Sequence, residues 1–171
     1  MGLLLGNTFR DGAGHLAVRV WAATPQLRQD RRRDRVESNP EQIAQSAQLA
    51  EEMTAKTGVE TRVIGWYHSH PHITVHPSHV DLRTQARAAG AALPLPACPP
   101  RRPRRPCSAL GPQHMYQAMD AGFLGLILST FNQDAGARRG SLQLTAFQAA
   151  TTGSGLENRP IPVDVVHPRS W

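Results

Sequence analysis

A chain of 171 residues, 40% hydrophobic and 19% charged, is long enough for one compact domain with its own core and short for two. No apolar run approaches the roughly 20 residues of a membrane-spanning helix, and the apolar start Met1–Gly6 lacks the basic flank of a signal peptide, so the expectation is a soluble, intracellular protein with no membrane partner. The formal charge of +6 invites a nucleic-acid reading, but residues 87–114 carry five arginines and no acid, and the rest holds 14 basic against 13 acidic residues, a balance of +1.

In chain order, Met1–Gly6 and Leu16–Ala23 are apolar runs on either side of Asp11-Gly12-Ala13-Gly14, a strand–turn–strand pattern. Arg28–Arg35 is a mixed-charge loop, read either as solvated surface or as a partner contact. Asn39 as N-cap, Pro40 in the first helical position and Glu41 in the first turn then start a helix. Its apolar positions Ile43, Ala47, Ala50 and Met53 recur at helical spacing until Gly58 ends it. Arg62–Tyr67 is rich in β-formers and runs directly into His68-Ser69-His70-Pro71, after which Pro77-Ser78 opens a second helix reaching about Arg87.

Residues 87–114 hold both cysteines and 7 of the 14 prolines. That proline density bars a continuous helix and favours extended, disordered chain. Two cysteines in a Pro/Arg tract form neither a zinc pattern nor a disulfide framework. Beyond it, Met115–Ala121 reads as helix, Phe123–Phe131 as a buried strand, and Leu142–Phe147 as another strand after the Asp134–Gly140 turn. Ile161–Val166 reads as a last short strand. Alternating strands and helices predict an α/β domain with a mixed sheet.

Five of the eight histidines (68, 70, 72, 76 and 79) fall within twelve residues. His68 and His70 alternate at a strand end, so their side chains share one face and can share one ion. Pro71 stops the strand, and the loop returns to a helix whose first turn carries Ser78 and Asp81. Two imidazoles and one carboxylate, with a fourth position open to water, is the donor set of a catalytic zinc site. Zinc in such a site acidifies its water and polarises a carbonyl.

His-x-His-Pro, with seven residues from the second His to Ser78 and two more to Asp81, resembles the signature of the JAMM (MPN-plus) zinc metallo-isopeptidases. Within that family the chain resembles the lysine-63-specific deubiquitinase subunits of the BRCA-associated and BRISC complexes. The stretches DRRRDRVESNPEQ (30–42), VIGWYHSHPHITVHPSHVDLRTQA (63–86), MYQAMDAGFLGLILSTF (115–131) and IPVDVVHP (161–168) carry that similarity. The resemblance implies a single MPN domain over 1–171, a mixed curved sheet flanked by helices, interrupted by a Pro/Arg-rich insert at 87–114. It implies one zinc ion held by His68, His70 and Asp81, with Ser78 hydrogen-bonding the oxyanion during hydrolysis of lysine-63-linked polyubiquitin. No other cofactor site is implied. His72 and His79 match family positions that are not ligands, and His76 stands where the family has Trp or another apolar residue. The loops at 28–39 and 132–140 would flank the cleft and hold ubiquitin. Ubiquitin chains and an MPN-type partner subunit are the implied partners, in the cytoplasm and nucleus and in DNA repair.

The chain also departs from the pattern. The family's general-base glutamate would lie two residues before Met1, and the sequence stops at Trp171 before the helical region that pairs with the partner, so the domain is expected to be truncated at both ends. In the family Ala86 would be followed directly by Met115; residues 87–114 read either as a translated intron or as a lineage-specific loop. A zinc deubiquitinase is therefore the first functional reading, and a non-catalytic ubiquitin-binding or scaffold protein the second. An arginine-rich nucleic-acid binder, resting on 87–114 alone, ranks last.

Overall fold

The structure, a computed structural model, describes residues 1–27, 40–70, 74–88, 122–133, 140–153 and 155–167. Among them the chain forms β1 (Gly2–Arg10), β2 (Leu16–Pro25), α1 (Pro40–Thr57), β3 (Arg62–Ser69), α2 (His79–Ala88), β4 (Leu124–Gln133), β5 (Gly140–Thr152) and β6 (Gly155–Ile161). The strands make one sheet in the order β2-β1-β3-β4-β5-β6. β3 and β4 run parallel, and every other neighbouring pair is antiparallel, so the sheet is mixed as the alternation of elements predicts. Parallel neighbours require a crossover, and α2 begins the one between β3 and β4.

Local chemistry accounts for the first elements. The Asp11 carboxylate accepts the backbone amides of Ala13 at 2.9 Å and His15 at 2.8 Å, closing the β1–β2 hairpin. α1 ends at Gly58, whose φ of 69° is the left-handed conformation and whose amide donates to Thr54 O at 2.9 Å. β1 lies between β2 and β3, so Leu3, Leu4 and Leu5 are all buried and read as a continuous apolar run.

The main core joins Leu3, Ile43, Trp66, Leu82, Phe123, Ile127 and Phe147. Ile43 belongs to α1 and Leu82 to α2, so both helices pack on the same face of the sheet. A register shift between Leu4 and Leu5 accommodates an extra residue in β3, since Leu4 pairs with Gly65 and Leu5 with Val63. The extra residue, Ile64, packs with Leu4 and Leu124 in a second, smaller cluster.

Two expectations change. The last strand is not Ile161–Val166: β6 covers Gly155–Ile161, and residues 162–167 have no regular structure. Gly155, at φ 127°, lets the chain turn and pair Leu156 through Ile161 with β5. β5 is longer than Leu142–Phe147 because that pairing extends it to Thr152. α2, His79–Ala88, matches the helix expected from Ser78 to about Arg87. The predicted helix at 115–121, the loop at 28–39 and the rest of 87–114 lie outside the described residues. So does most of the Asp134–Gly140 turn. Among the described residues no helix is long and apolar enough to cross a membrane.

Candidate metal centre

The histidine cluster sits where the parallel strand β3 ends and α2 begins. Alternation along β3 turns Trp66 and His68 to the helix-bearing face and leaves Ser69 exposed. His70 lies one residue past the strand, yet its amide donates to Leu128 O at 2.8 Å, continuing the ladder with β4 and fixing its backbone. Trp66 stacks on His68, with ring centroids 4.8 Å apart and planes 6° from parallel.

Ser78 caps α2. Its hydroxyl oxygen accepts the Asp81 amide at 3.3 Å, while Asp81 Oδ2 accepts the Ser78 amide and the Ser78 hydroxyl, each at 2.7 Å. This reciprocal capping box places Asp81 in the first turn, where the helix dipole favours a negative charge. It also aims the other carboxylate oxygen at the strand: Asp81 Oδ1 is 3.1 Å from His68 Nε2, and Oδ2 is 3.7 Å from His70 Nε2. The two Nε2 atoms are 2.9 Å apart. His68, His70 and Asp81 thus bring one donor atom each to a single point, all within 4.8 Å of one another. The three residues are only 9%, 7% and 4% exposed.

The donor set fits a metal ion. His70 Nδ1 donates to Thr74 O at 2.7 Å, which leaves the lone pair on Nε2 facing the cluster. His68 presents its Nε2 to both other donors, and its buried Nδ1 has no hydrogen-bond partner among the described residues. Without a metal, an Nε2–H on His68 donates to Asp81 Oδ1; with that nitrogen deprotonated, the three donors converge in so dry a place that a cation is needed to balance them. Burial by itself would raise the Asp81 pKa, but the His68 hydrogen bond and the two Ser78 bonds outweigh it and hold the carboxyl at about 2, below its ordinary 3.8.

Of the sequence-predicted site residues, the structure brings together His68, His70, Asp81 and Ser78. His76 and His79 are exposed and take no part in the cluster. His72 and Pro71 lie outside the described residues. Three supporting residues were not anticipated: Thr74, Trp66 and Gln85. Gln85 is fully buried one turn after Asp81, accepting from Trp66 Nε1 at 2.6 Å and donating to Phe123 O at 2.8 Å. A polar residue four positions from a candidate ligand, on the helix stripe that carries Leu82, was the available signal.

Residues 1–91 match the family described as JAB1/Mov34/MPN/PAD-1 ubiquitin protease. The chain is 43% identical over 141 residues to the Lys-63-specific deubiquitinase BRCC36 of Rattus norvegicus, covering 81% of this chain and 39% of that protein. To the BRCC36 of Xenopus tropicalis it is 41% identical over 168 residues, covering 97% of this chain and 52% of the relative. To that of Homo sapiens it is 41% identical over 137 residues, covering 80% and 34%. The chain therefore spans about half or less of the length of these curated relatives.

Proposed function

The chain belongs to the JAB1/Mov34/MPN/PAD-1 ubiquitin protease family, and from that premise we propose that it is a zinc-dependent deubiquitinase domain acting on isopeptide bonds in lysine-63-linked polyubiquitin. The observation that carries the reading is the convergence of His68, His70 and Asp81 on one point; the likeness to Lys-63-specific deubiquitinases supports the substrate. These three residues would hold one zinc ion. When bound, zinc supplies a Lewis acid for the isopeptide carbonyl and lowers the pKa of water at the open position.

The chain's own residues prepare the site for that ion. The Thr74 carbonyl holds the His70 tautomer with Nε2 free, and the Ser78 bonds keep Asp81 ionised. Ser78, exposed at the edge of the cluster, would turn its hydroxyl from Asp81 to the oxyanion that forms on the substrate carbonyl. Ubiquitin chains are the proposed substrate. An MPN-type partner subunit and a location in cytoplasm and nucleus belong to the same proposal, as does a single MPN domain spanning 1–171 with 87–114 inserted.

A second reading is favoured by a specific observation. Asp81 is the one carboxylate in the cluster among the described residues, and its oxygens are already committed to His68 and Ser78. With no second carboxylate among the described residues to take the proton from water, such a chain would bind ubiquitin and zinc but turn over little, as a scaffold would. Metal analysis and a lysine-63-linked di-ubiquitin cleavage assay test both readings together. Close to one zinc per chain, lost in His68→Ala and retained in His76→Ala and His79→Ala, is expected. Zinc content indifferent to His68, His70 and Asp81 would overturn the metal site. Cleavage at the rate of an intact family enzyme would overturn the scaffold reading.

A further inference from the structure

We infer that Gln85 and Trp66 are positioning residues for the metal centre, joined in a buried strut that sets the distance between the ligand on the helix and the ligands of the strand; this rests on the metal-site reading above. Asp81 reaches His68 from a different element, so their separation depends on how α2 is seated on the sheet. Gln85, one turn along α2 from Asp81 and 0% exposed, ties that helix to the sheet at two points. Its Oε1 accepts from Trp66 Nε1 at 2.6 Å, and its Nε2 donates to Phe123 O at 2.8 Å.

The chemistry allows only one orientation of this amide. The indole nitrogen is a donor only and the Phe123 carbonyl an acceptor only, so a flipped Gln85 would face both with the wrong atom. The link then continues to the metal centre. Trp66 stacks on the His68 ring, and its own ring is held edge-on by Phe147, with centroids 6.2 Å apart. One side of the strut is thus the helix of Asp81, and the other is the surface on which His68 rests. Gly125 leaves the space it needs: a Cβ there would lie 3.2 Å from Gln85 Oε1 and 2.6 Å from the Phe147 ring. His68 Nδ1 has no hydrogen-bond partner among the described residues, so stacking on Trp66 takes over the orienting role that a bond to Thr74 O serves for His70.

The test measures zinc affinity of the full 171-residue chain by competition with a chromophoric chelator, together with the visible spectrum of the cobalt-substituted chain. Gln85→Met keeps the volume and removes both hydrogen bonds; Trp66→Phe keeps an aromatic ring on His68 and removes one. Ile64→Val, in the smaller cluster away from α2, serves as the control for general destabilisation. Q85M is expected to weaken zinc binding about tenfold or more and to alter the cobalt spectrum. W66F moves both in the same direction, and the double variant loses less than the sum of the two singles. I64V lowers the melting temperature without moving either readout. Should Q85M not fold, W66F carries the same comparison. Wild-type zinc affinity and cobalt spectrum in whichever variant folds would overturn the positioning role while leaving the metal site intact. Failure of the unaltered chain to bind zinc would overturn both.

Discussion

Ser78→Ala should destabilise the domain whether or not any substrate is present. The hydroxyl has two partners: it donates to Asp81 Oδ2 at 2.7 Å and accepts from the Asp81 amide at 3.3 Å. Losing an N-cap side chain costs about 1 kcal/mol, and a hydrogen bond to a charged group is worth roughly 1.5–3 kcal/mol. The two losses share one oxygen, and the Ser78 amide still serves Oδ2 at 2.7 Å, so they do not add fully. A net cost of about 2 kcal/mol follows, which in a domain of this size lowers the melting temperature by roughly 4–8 °C. Thermal melts of the metal-free chain would read this directly, with Ser78→Thr expected to recover most of the loss because it restores the hydroxyl. A Ser78→Ala melt within a degree of wild type would refute the capping argument. Any catalytic effect of Ser78 would then have to be assigned to substrate contact alone.

Gly125→Ala sets a Cβ 2.6 Å from the ring of Phe147, which is fully buried and cannot retreat. The cost should be about 1–3 kcal/mol in urea unfolding, and an unchanged midpoint would show slack around Phe147. The metal-free chain should lose stability as pH falls below about 4. The Asp81 carboxyl titrates near 2 when folded against an ordinary 3.8, so its contribution is present above the higher value and disappears as pH falls through the lower one. The contribution is on the order of 2 kcal/mol, and Asp81→Asn should flatten the acid limb of the stability curve by that amount; equal slopes in the two proteins would rule the linkage out. Finally, the Gly2↔Tyr67 register, continued upstream, sets a residue added two positions before Met1 opposite His70. A glutamate there should raise di-ubiquitin cleavage by roughly 10²–10⁴-fold over the same extension carrying glutamine, and equal rates would show that a carboxylate at that position is not the base.

Some of this was legible because the deciding interactions are local. Pro40, Glu41 and Gly58 bound α1 through the chemistry of helix ends, and the helix runs Pro40–Thr57 as they require. His68 and His70 share a face because strand side chains alternate, and Ser78 to Asp81 is the spacing of a capping box. Other features depend on chain far away in sequence. β6 carries Glu157, Asn158, Arg159 and Pro160, a polar run with no strand pattern of its own. It is a strand because β5 lends it hydrogen-bond partners at the sheet's edge. The extra residue at Ile64 sends that side chain into the smaller cluster, a choice made by register with β1 and invisible in the alternation of Val63, Ile64 and Trp66. The Gln85 strut reaches 19 residues back to Trp66 and 38 forward to Phe123. Which residues could bind metal was therefore written in side-chain type and spacing. Whether they meet, and at what separation, was decided by the packing of α2 on the sheet, because no local rule sets the distance between a helix and the strand it crosses.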